Sequence, residues 1–254
     1  MKKFSNKLKK KPIAFIPARA NSKRIKNKNI IDFYGHPLIA YTISAAIQSN
    51  IFSRVICVTD SHQYAKIAKY YGAEVPSLRP KSTSKETSPD IEWVKWILKK
   101  IDPKKEIKIF SILRPTNPFR TQETIKRAYK IFVKENNLDS LRAIEVCKQH
   151  PGKMWFFNGE YINPIFPLQD SRLPLHSSQM ASLPTIYVQN ASLEIAWTKT
   201  VYDTGSIAGL KIKPFFSKGY EGIDINNNED LLLIEKLIEN KQVSLSKIDK
   251  ISWF

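Results

Sequence analysis

Residues 13–30 read IAFIPARANSKRIKNKNI. The run Ile13-Ala14-Phe15-Ile16 is apolar at every position and stops at Pro17. A strand covered on both faces reads this way, whereas a strand with one wet face alternates. The chain then enters a loop carrying Arg19, Lys23, Arg24, Lys26 and Lys28. The same pattern recurs downstream. Val55-Ile56-Cys57-Val58 is a second buried strand ending at Thr59-Asp60-Ser61, and Ile107 to Leu113 is a third, ending at Arg114-Pro115-Thr116-Asn117-Pro118. Helical spacing lies between these runs. Leu38, Tyr41 and Ala45 share a face after Gly35-His36-Pro37, and Tyr64, Ile67, Ala68 and Tyr71 share another that Asp60 or Ser61 caps and Gly72 stops. Asp90 is expected to cap a helix presenting Ile91, Val94, Ile97 and Ile101, and a further helix runs from about Thr121 to Glu135. Strands alternating with helices give an α/β fold, a Rossmann-like, mostly parallel sheet with helices on both faces. Ligands in such sheets bind beyond the carboxyl ends of the strands, so the polar loops at 17–29, 59–61, 79–90 and 114–120 are expected to meet on one rim.

The pattern changes near His150-Pro151. From there to about 200 the chain is rich in proline and aromatics, including Trp155, Phe156, Phe157, Tyr161, Phe166, Tyr187 and Trp197, and helical periodicity is weak. The expected organisation is a flexible basic tail over 1–10, a nucleotide-binding α/β domain over 11–150 and 203–254, and an inserted lobe over 151–202. Gly209 to Lys213 reads as a strand, Gly222 to Ile225 as a strand end, and Leu231, Leu232, Ile234, Leu237 and Ile238 as one face of a last helix.

The 254 residues are 42% hydrophobic, enough for a sizeable core, and carry a formal net charge of +18. Such a charge attracts polyanions: nucleotides, nucleic acid or a membrane surface. The basic residues sit in one loop, a tail and helix surfaces, without the aromatic interleaving of a nucleic-acid platform. MKKFSNKLKKK lacks the apolar continuation of a signal peptide, and no span long enough for a membrane follows. Cys57 and Cys147 have no CxxC partner, so neither zinc nor a disulfide framework is expected and a reducing cytoplasm fits. His36, His62, His150 and His176 show no metal spacing.

A cationic loop after the first strand is where an α/β protein holds phosphate. GxxxxGK[ST] and GxGxxG are both absent, so side chains would have to do the gripping: Arg19 as a fork of donors, Lys23 and Lys28 as point charges, Ser22 and Asn29 as neutral donors. The bland alternative is a solvated basic loop.

IPARANSKRIKNKN resembles the first motif of the CMP-acylneuraminate synthetases, the cytidylyltransferases that activate sialic and related nonulosonic acids. Further motifs follow in family order. They are Phe33-Tyr34-Gly35-His36-Pro37-Leu38-Ile39, Val58-Thr59-Asp60, Gly72-Ala73-Glu74-Val75 with Arg79-Pro80, Leu113-Arg114-Pro115-Thr116-Asn117-Pro118-Phe119-Arg120, and Ile223-Asp224-Ile225 with Glu229-Asp230-Leu231. The likeness covers residues 12–240 and implies a nucleotidyltransferase, glycosyltransferase-A-like fold whose inserted lobe dimerises. The implied reaction joins CTP to a nine-carbon α-keto sugar acid of sialic, legionaminic or pseudaminic type, giving CMP-sugar and pyrophosphate with Mg²⁺. By resemblance, Arg19 and Lys28 are catalytic with Asp224. Ser22, Lys23 and Asn29 assist at the triphosphate, and Arg79, Thr87 and Ser88 lie around cytosine and ribose, although Arg79 could equally close its own loop. Arg114, Gln189 and Asn190 would meet the sugar.

Two positions depart from the family. Asn226 stands where a second metal-binding aspartate is usual, leaving Asp224 and a neutral amide for the metal, or Asp224 with a neighbour such as Asp230. Arg114 replaces a glutamine, so it could pair with the sugar carboxylate or signal a different acid. The expected protein is a cytoplasmic homodimer acting on small molecules, with neither nucleic acid nor membrane as partner, its product feeding surface polysaccharide. The alternatives are another sugar nucleotidyltransferase, such as a CMP-Kdo synthetase, or a basic nucleic-acid-binding protein.

Overall fold

The computed structural model describes residues 11–20, 22–135, 137–166 and 174–254. The expected tail, residues 1–10, lies outside them. The chain divides into two compact units, one comprising 1–143 and 190–254 and the other Ile144–Gln189.

The larger unit is built on strands β1 (Ile13–Pro17), β2 (Asp32–Phe33), β3 (His36–Pro37), β4 (Arg54–Val58) and β5 (Ile109–Leu113). Helices α1 (Leu38–Gln48), α2 (His62–Tyr70), α3 (Asp90–Ile101) and α4 (Gln122–Lys134) lie among them. Then come β6 (Ser140–Val146), β7 (Trp155–Phe157), β8 (Ile162–Pro164), β9 (Tyr187–Trp197), α5 (Thr198–Thr204), β10 (Ile212–Phe216) and α6 (Asn228–Glu239). The main sheet runs in the order β10-β6-β9-β5-β1-β4, and β2 and β3 form a hairpin of their own. β1 pairs parallel with β4 and β5, while β9 runs antiparallel to β5.

The continuous apolar runs have the predicted cause. Alternate residues of β1 enter opposite cores. Ala14 and Ile16 pack with Ile39 and Ile43 of α1, Ile67 of α2 and Phe132 of α4. Ile13 and Phe15 pack with Trp93 and Ile97 of α3 and Val201 of α5. The Trp93 indole meets Phe15 edge-on at 5.9 Å between centroids. Ser61 caps α2 by accepting from the Tyr64 amide at 3.3 Å, and Thr121 caps α4 reciprocally with Thr124. Gly72 takes φ +98° where α2 ends, a conformation that favours glycine.

Four sequence expectations shift. Asp90 is the first residue of α3 and makes no capping bond to the backbone. Its carboxylate accepts instead from the Trp93 indole N–H at 2.7 Å and from Arg114. The lobe is expected over 151–202, whereas the compact second unit is Ile144–Gln189 and β9 from Leu193 to Trp197 pairs with β5 in the main sheet. The strand expected over 209–213 is β10, at Ile212–Phe216. On α6 the buried residues are Ile234 and Leu237, whereas Leu232 is 62% exposed.

The smaller unit carries the β7–β8 hairpin, with Trp155 opposite Pro164 and Phe157 opposite Ile162. The Asn158 side chain closes its turn by accepting from the Glu160 and Tyr161 amides. The hairpin side chains are exposed, Phe156 by 63%, Phe157 by 71% and Ile162 by 57%.

Candidate active site

Parallel pairing puts the carboxyl ends of β1, β4 and β5 on one rim, and hydrogen bonds knit the loops leaving it. The Ala18 amide donates to the Val58 carbonyl at 2.9 Å and the Arg79 amide to the Thr59 carbonyl at 2.7 Å. The Asp60 carboxylate accepts from the Ala20 amide at 2.9 Å, so the aspartate after β4 fixes where the cationic loop begins. Asn29, buried, donates its amide to the Arg19 carbonyl at 3.2 Å and closes that loop from the other end.

A cleft of about 280 Å³ opens between these loops, lined by Arg19, Asn29, Arg79, Ser88 and Arg114 among others. Five predicted residues thus share one cavity. Thr87 is exposed and is not among the lining residues. Lys23 reaches the far lip, pairing with Glu86 at 2.6 Å in the open. Arg79 is buried and donates to the Thr83 carbonyl, with its guanidinium 5.6 Å from the Trp93 ring centroid. It therefore closes its own loop while forming part of the cleft wall, and burial lowers its pKa.

Arg114 is committed to acids. It pairs with Asp90 and, at 3.1 Å, with Glu194 on β9, which also meets Arg142 of β6 at 2.8 Å. Burial alone would lower the Arg114 pKa, but the two carboxylates outweigh it and hold the group charged. Both bonds use Nη2, and the residue lines the cleft.

The second cluster surrounds Asp224. Gly222 lies in a turn and residues 223–226 have no regular secondary structure, where a strand end is expected. The turn after β5 holds this segment: the Asn117 side chain donates to the Ile223 carbonyl at 2.8 Å, and the Ile225 amide donates to the Thr116 carbonyl at 2.9 Å. Lys28 clamps it from the cationic loop, its ammonium donating to the Ile225 carbonyl at 2.5 Å. Burial lowers the Lys28 pKa, partly offset by the Asp224 charge.

One carboxylate oxygen of Asp224, Oδ1, is buried without a hydrogen-bond partner. Asn226 turns its amide nitrogen to the Asp224 carbonyl at 3.3 Å, and its oxygen accepts only a long bond from Arg24 at 3.4 Å. Asp230 is spent on the Asn226 and Asn227 amides, completing the capping box of α6. Among the described residues no cluster of three acidic, histidine or cysteine side chains could hold a metal alone. An oxygen-seeking ion such as Mg²⁺ needs no such cluster, since it keeps waters and binds substrate phosphate. The orphaned Asp224 oxygen, with a weakly engaged amide oxygen two residues on, fits that requirement.

The sugar-side expectations separate. Asn190 is half-buried in the larger unit, donating to the Ser217 hydroxyl at 2.7 Å, while Gln189 is the exposed last residue of the smaller unit. Ser22 is half-buried, with its amide donating to the Ala20 carbonyl. Sequence reasoning gave no role to Asn117, Arg120 or Glu194. Only Asn117 and Arg120 lay within a quoted motif.

A family profile described as cytidylyltransferase matches residues 13–153. The chain belongs to the cytidylyltransferase family. The CMP-N,N'-diacetyllegionaminic acid synthase of Legionella pneumophila is 34% identical over 243 residues, covering 92% of this chain and 98% of that protein. The pseudaminic acid cytidylyltransferase of Campylobacter jejuni is 32% identical over 151 residues, 59% of this chain and 64% of that protein. Among solved structures, CMP:2-keto-3-deoxy-manno-octonic acid synthetase complexed with CTP superposes with TM-score 0.65 at 14% identity, over 91% of this chain and 99% of the other. At that identity the likeness is one of fold, and it bears out the expected α/β nucleotidyltransferase architecture. Among the described residues of this cytidylyltransferase no helix is long and apolar enough to cross a membrane.

Proposed function

We propose that the chain transfers CMP from CTP to the anomeric hydroxyl of a nine-carbon α-keto sugar acid of the legionaminic, pseudaminic or sialic type. The observation that carries this reading is the facing of a cationic loop and an orphaned carboxylate: Lys28 clamps the segment on which Asp224 leaves Oδ1 without a partner. CTP lays its triphosphate along Arg19, Lys23 and Lys28, with Ser22 and Asn29 as neutral donors. Its base and ribose face Arg79 and Ser88, with Thr87 at the margin. The sugar hydroxyl forms a bond to the α-phosphorus, the bond from that phosphorus to the bridging oxygen breaks, pyrophosphate leaves, and the hydroxyl loses its proton. Charge neutralisation and in-line positioning supply the rate. Asp224 and Asn226 would hold Mg²⁺, which when bound neutralises phosphate charge.

Arg114, whose two carboxylate bonds both use Nη2, would turn a remaining donor to a sugar oxygen, with Asn190 and Gln189 as further sugar contacts. Because Asp90 and Glu194 already balance its charge, Arg114 contributes hydrogen-bond direction more than net attraction. The exposed aromatics of the β7–β8 hairpin support a homodimer, since exposed aromatic patches of this kind are what interfaces bury. We place the reaction in the cytoplasm, where CTP is made, with its product supplying surface polysaccharide.

The test is pyrophosphate release with CTP and Mg²⁺ against legionaminic, pseudaminic, N-acetylneuraminic and Kdo acids. Turnover is expected with one nonulosonic acid, legionaminic first because the near-full-length relative bears that name. Turnover with Kdo alone would move the substrate to the eight-carbon class. No turnover together with no rise in melting temperature on adding CTP would refute the reading.

A further inference from the structure

Arg120 is 1% exposed, yet it makes no ion pair with any acid among the described residues. A buried charge without a paired acid costs several kcal/mol and calls for an explanation. Its donors go to neutral acceptors on three separate elements. Nη1 donates to the Ser192 carbonyl on β9, and Nη2 to the Thr42 hydroxyl of α1 at 2.8 Å and the Arg114 carbonyl at 3.1 Å. Nε has no partner. Burial lowers the Arg120 pKa to about 9, opposed by the carboxylate of Asp224. A guanidinium with an unmade bond thus feels a carboxylate with an unmade bond.

The turn that Arg120 ends is the one that carries Asp224. Arg120 donates its own amide to the Asn117 carbonyl, Asn117 holds Ile223, and Thr116 holds Ile225. Residues on both sides of Asp224 are therefore registered by a turn that Arg120 ties to a helix and a strand. We infer that Arg120 is a positioning residue, a buried guanidinium that locks the 114–120 turn and so fixes Asp224 toward the metal-bound triphosphate. This rests on reading Asp224 as a metal ligand. It gives a single carboxylate the rigidity that a pair of acids would otherwise share.

A purely electrostatic role has the opposite sign. A cation near a divalent ion repels it, so deleting the charge would tighten metal binding. Positioning predicts weaker binding whether or not the charge survives. Mn²⁺ binding to the protein–CTP complex, followed by electron paramagnetic resonance without sugar, separates the two. Melting temperature is recorded alongside, and kcat and the apparent KM for Mn²⁺ are measured with sugar added. Arg120→Lys and Arg120→Gln should each weaken Mn²⁺ about 10-fold or more, as loss of an outer partner of a metal ligand does. Thr42→Val, which removes one acceptor and keeps the fork, should weaken it less and provides the answer if the arginine variants fail to fold. Asp224→Asn is the control.

Unchanged Mn²⁺ binding in Asp224→Asn would refute the metal reading of the site. Weak binding in Asp224→Asn with wild-type binding in the Arg120 and Thr42 variants would refute the positioning role alone, leaving Arg120 a structural group that only lowers the melting temperature. Tighter binding in Arg120→Gln, with no change in Arg120→Lys, would overturn the inference in favour of simple charge.

Discussion

Replacing Lys28 by methionine keeps the length of the side chain and removes its charge. In the native site the ammonium is half-buried, 2.5 Å from the Ile225 carbonyl and close enough to Asp224 for that carboxylate to offset part of its desolvation. A phosphate oxygen about 4 Å from the ammonium, at an effective dielectric of about 20, gains roughly 4 kcal/mol. Removing one preorganised electrostatic donor from an active site typically costs ~3–4 kcal/mol, or ~10²–10³ in kcat. The two figures agree, so Lys28→Met should lower kcat about 300-fold while moving the KM for the sugar little. The stability cost should be small, because losing a charged hydrogen bond to Ile225 costs about 1.5–3 kcal/mol and relief of the buried charge offsets part of it. Steady-state pyrophosphate release, with a melting curve on the same preparation, measures both. Lys28→Arg should recover only part of the rate, since a planar guanidinium cannot occupy the point position of an ammonium. A Lys28→Met enzyme with kcat within threefold of wild type would show that the clamp on Ile225 is structural and that another cation stabilises the transferring phosphate.

Asn226→Asp supplies the charge missing beside Asp224, and the half-saturating Mg²⁺ concentration should fall about 3- to 10-fold; an unchanged value would place the metal away from residue 226. Arg114→Gln removes the cation that Asp90 and the buried Glu194 share, leaving Glu194 with Arg142 alone, so stability should drop about 3 kcal/mol, with the melting temperature down roughly 6–12 °C and partial recovery in Arg114→Gln/Glu194→Gln. Burial pushes the Cys57 thiol up to about 12 from the ordinary 9.0, so the unfolded state loses that proton first. The contribution of Cys57 to stability should accordingly be constant below about pH 9 and fall from there towards 12. Between about pH 9 and 10.5 the change in urea midpoint should favour unfolding less in Cys57→Ala than in wild type; identical pH profiles for the two proteins would refute the thiol linkage. Trp93→Ala empties the space between α3 and β1 and should cost about 3–5 kcal/mol.

The parts of the fold legible in the sequence are those where burial is symmetric. β1 and β4 read correctly because both faces of each strand meet helices, leaving no polar residue to confuse the run. β9 did not. Its Gln189, Asn190, Ser192 and Glu194 look like an exposed or irregular segment, yet Ser192 and Glu194 are buried, the glutamate because Arg114 and Arg142 neutralise it. A polar residue satisfied by a partner 80 positions away carries no local signal. Asp90 misled for the same reason. It has the composition of a cap, but Trp93 and Arg114 claim its oxygens. In the site, Arg19, Asn29, Arg79, Ser88 and Arg114 converge because their loops all leave the same rim. The geometry around Asp224 was not readable, since Asn117 and Arg120 act through backbone carbonyls, which every sequence has, and through one hydroxyl 78 positions away.

The bond from Lys28 to the Ile225 carbonyl joins positions 197 residues apart. A ribosome adding about 5–20 residues per second needs roughly 10–40 s to make the second partner after the first. During that interval Asp60 and Glu86, the carboxylates that meet the cationic loop, are already made, but Asp224 is not. On the proposed reading, a chain caught in that interval has its cationic loop but lacks the carboxylate proposed to hold the metal, because the segment that supplies it is made late.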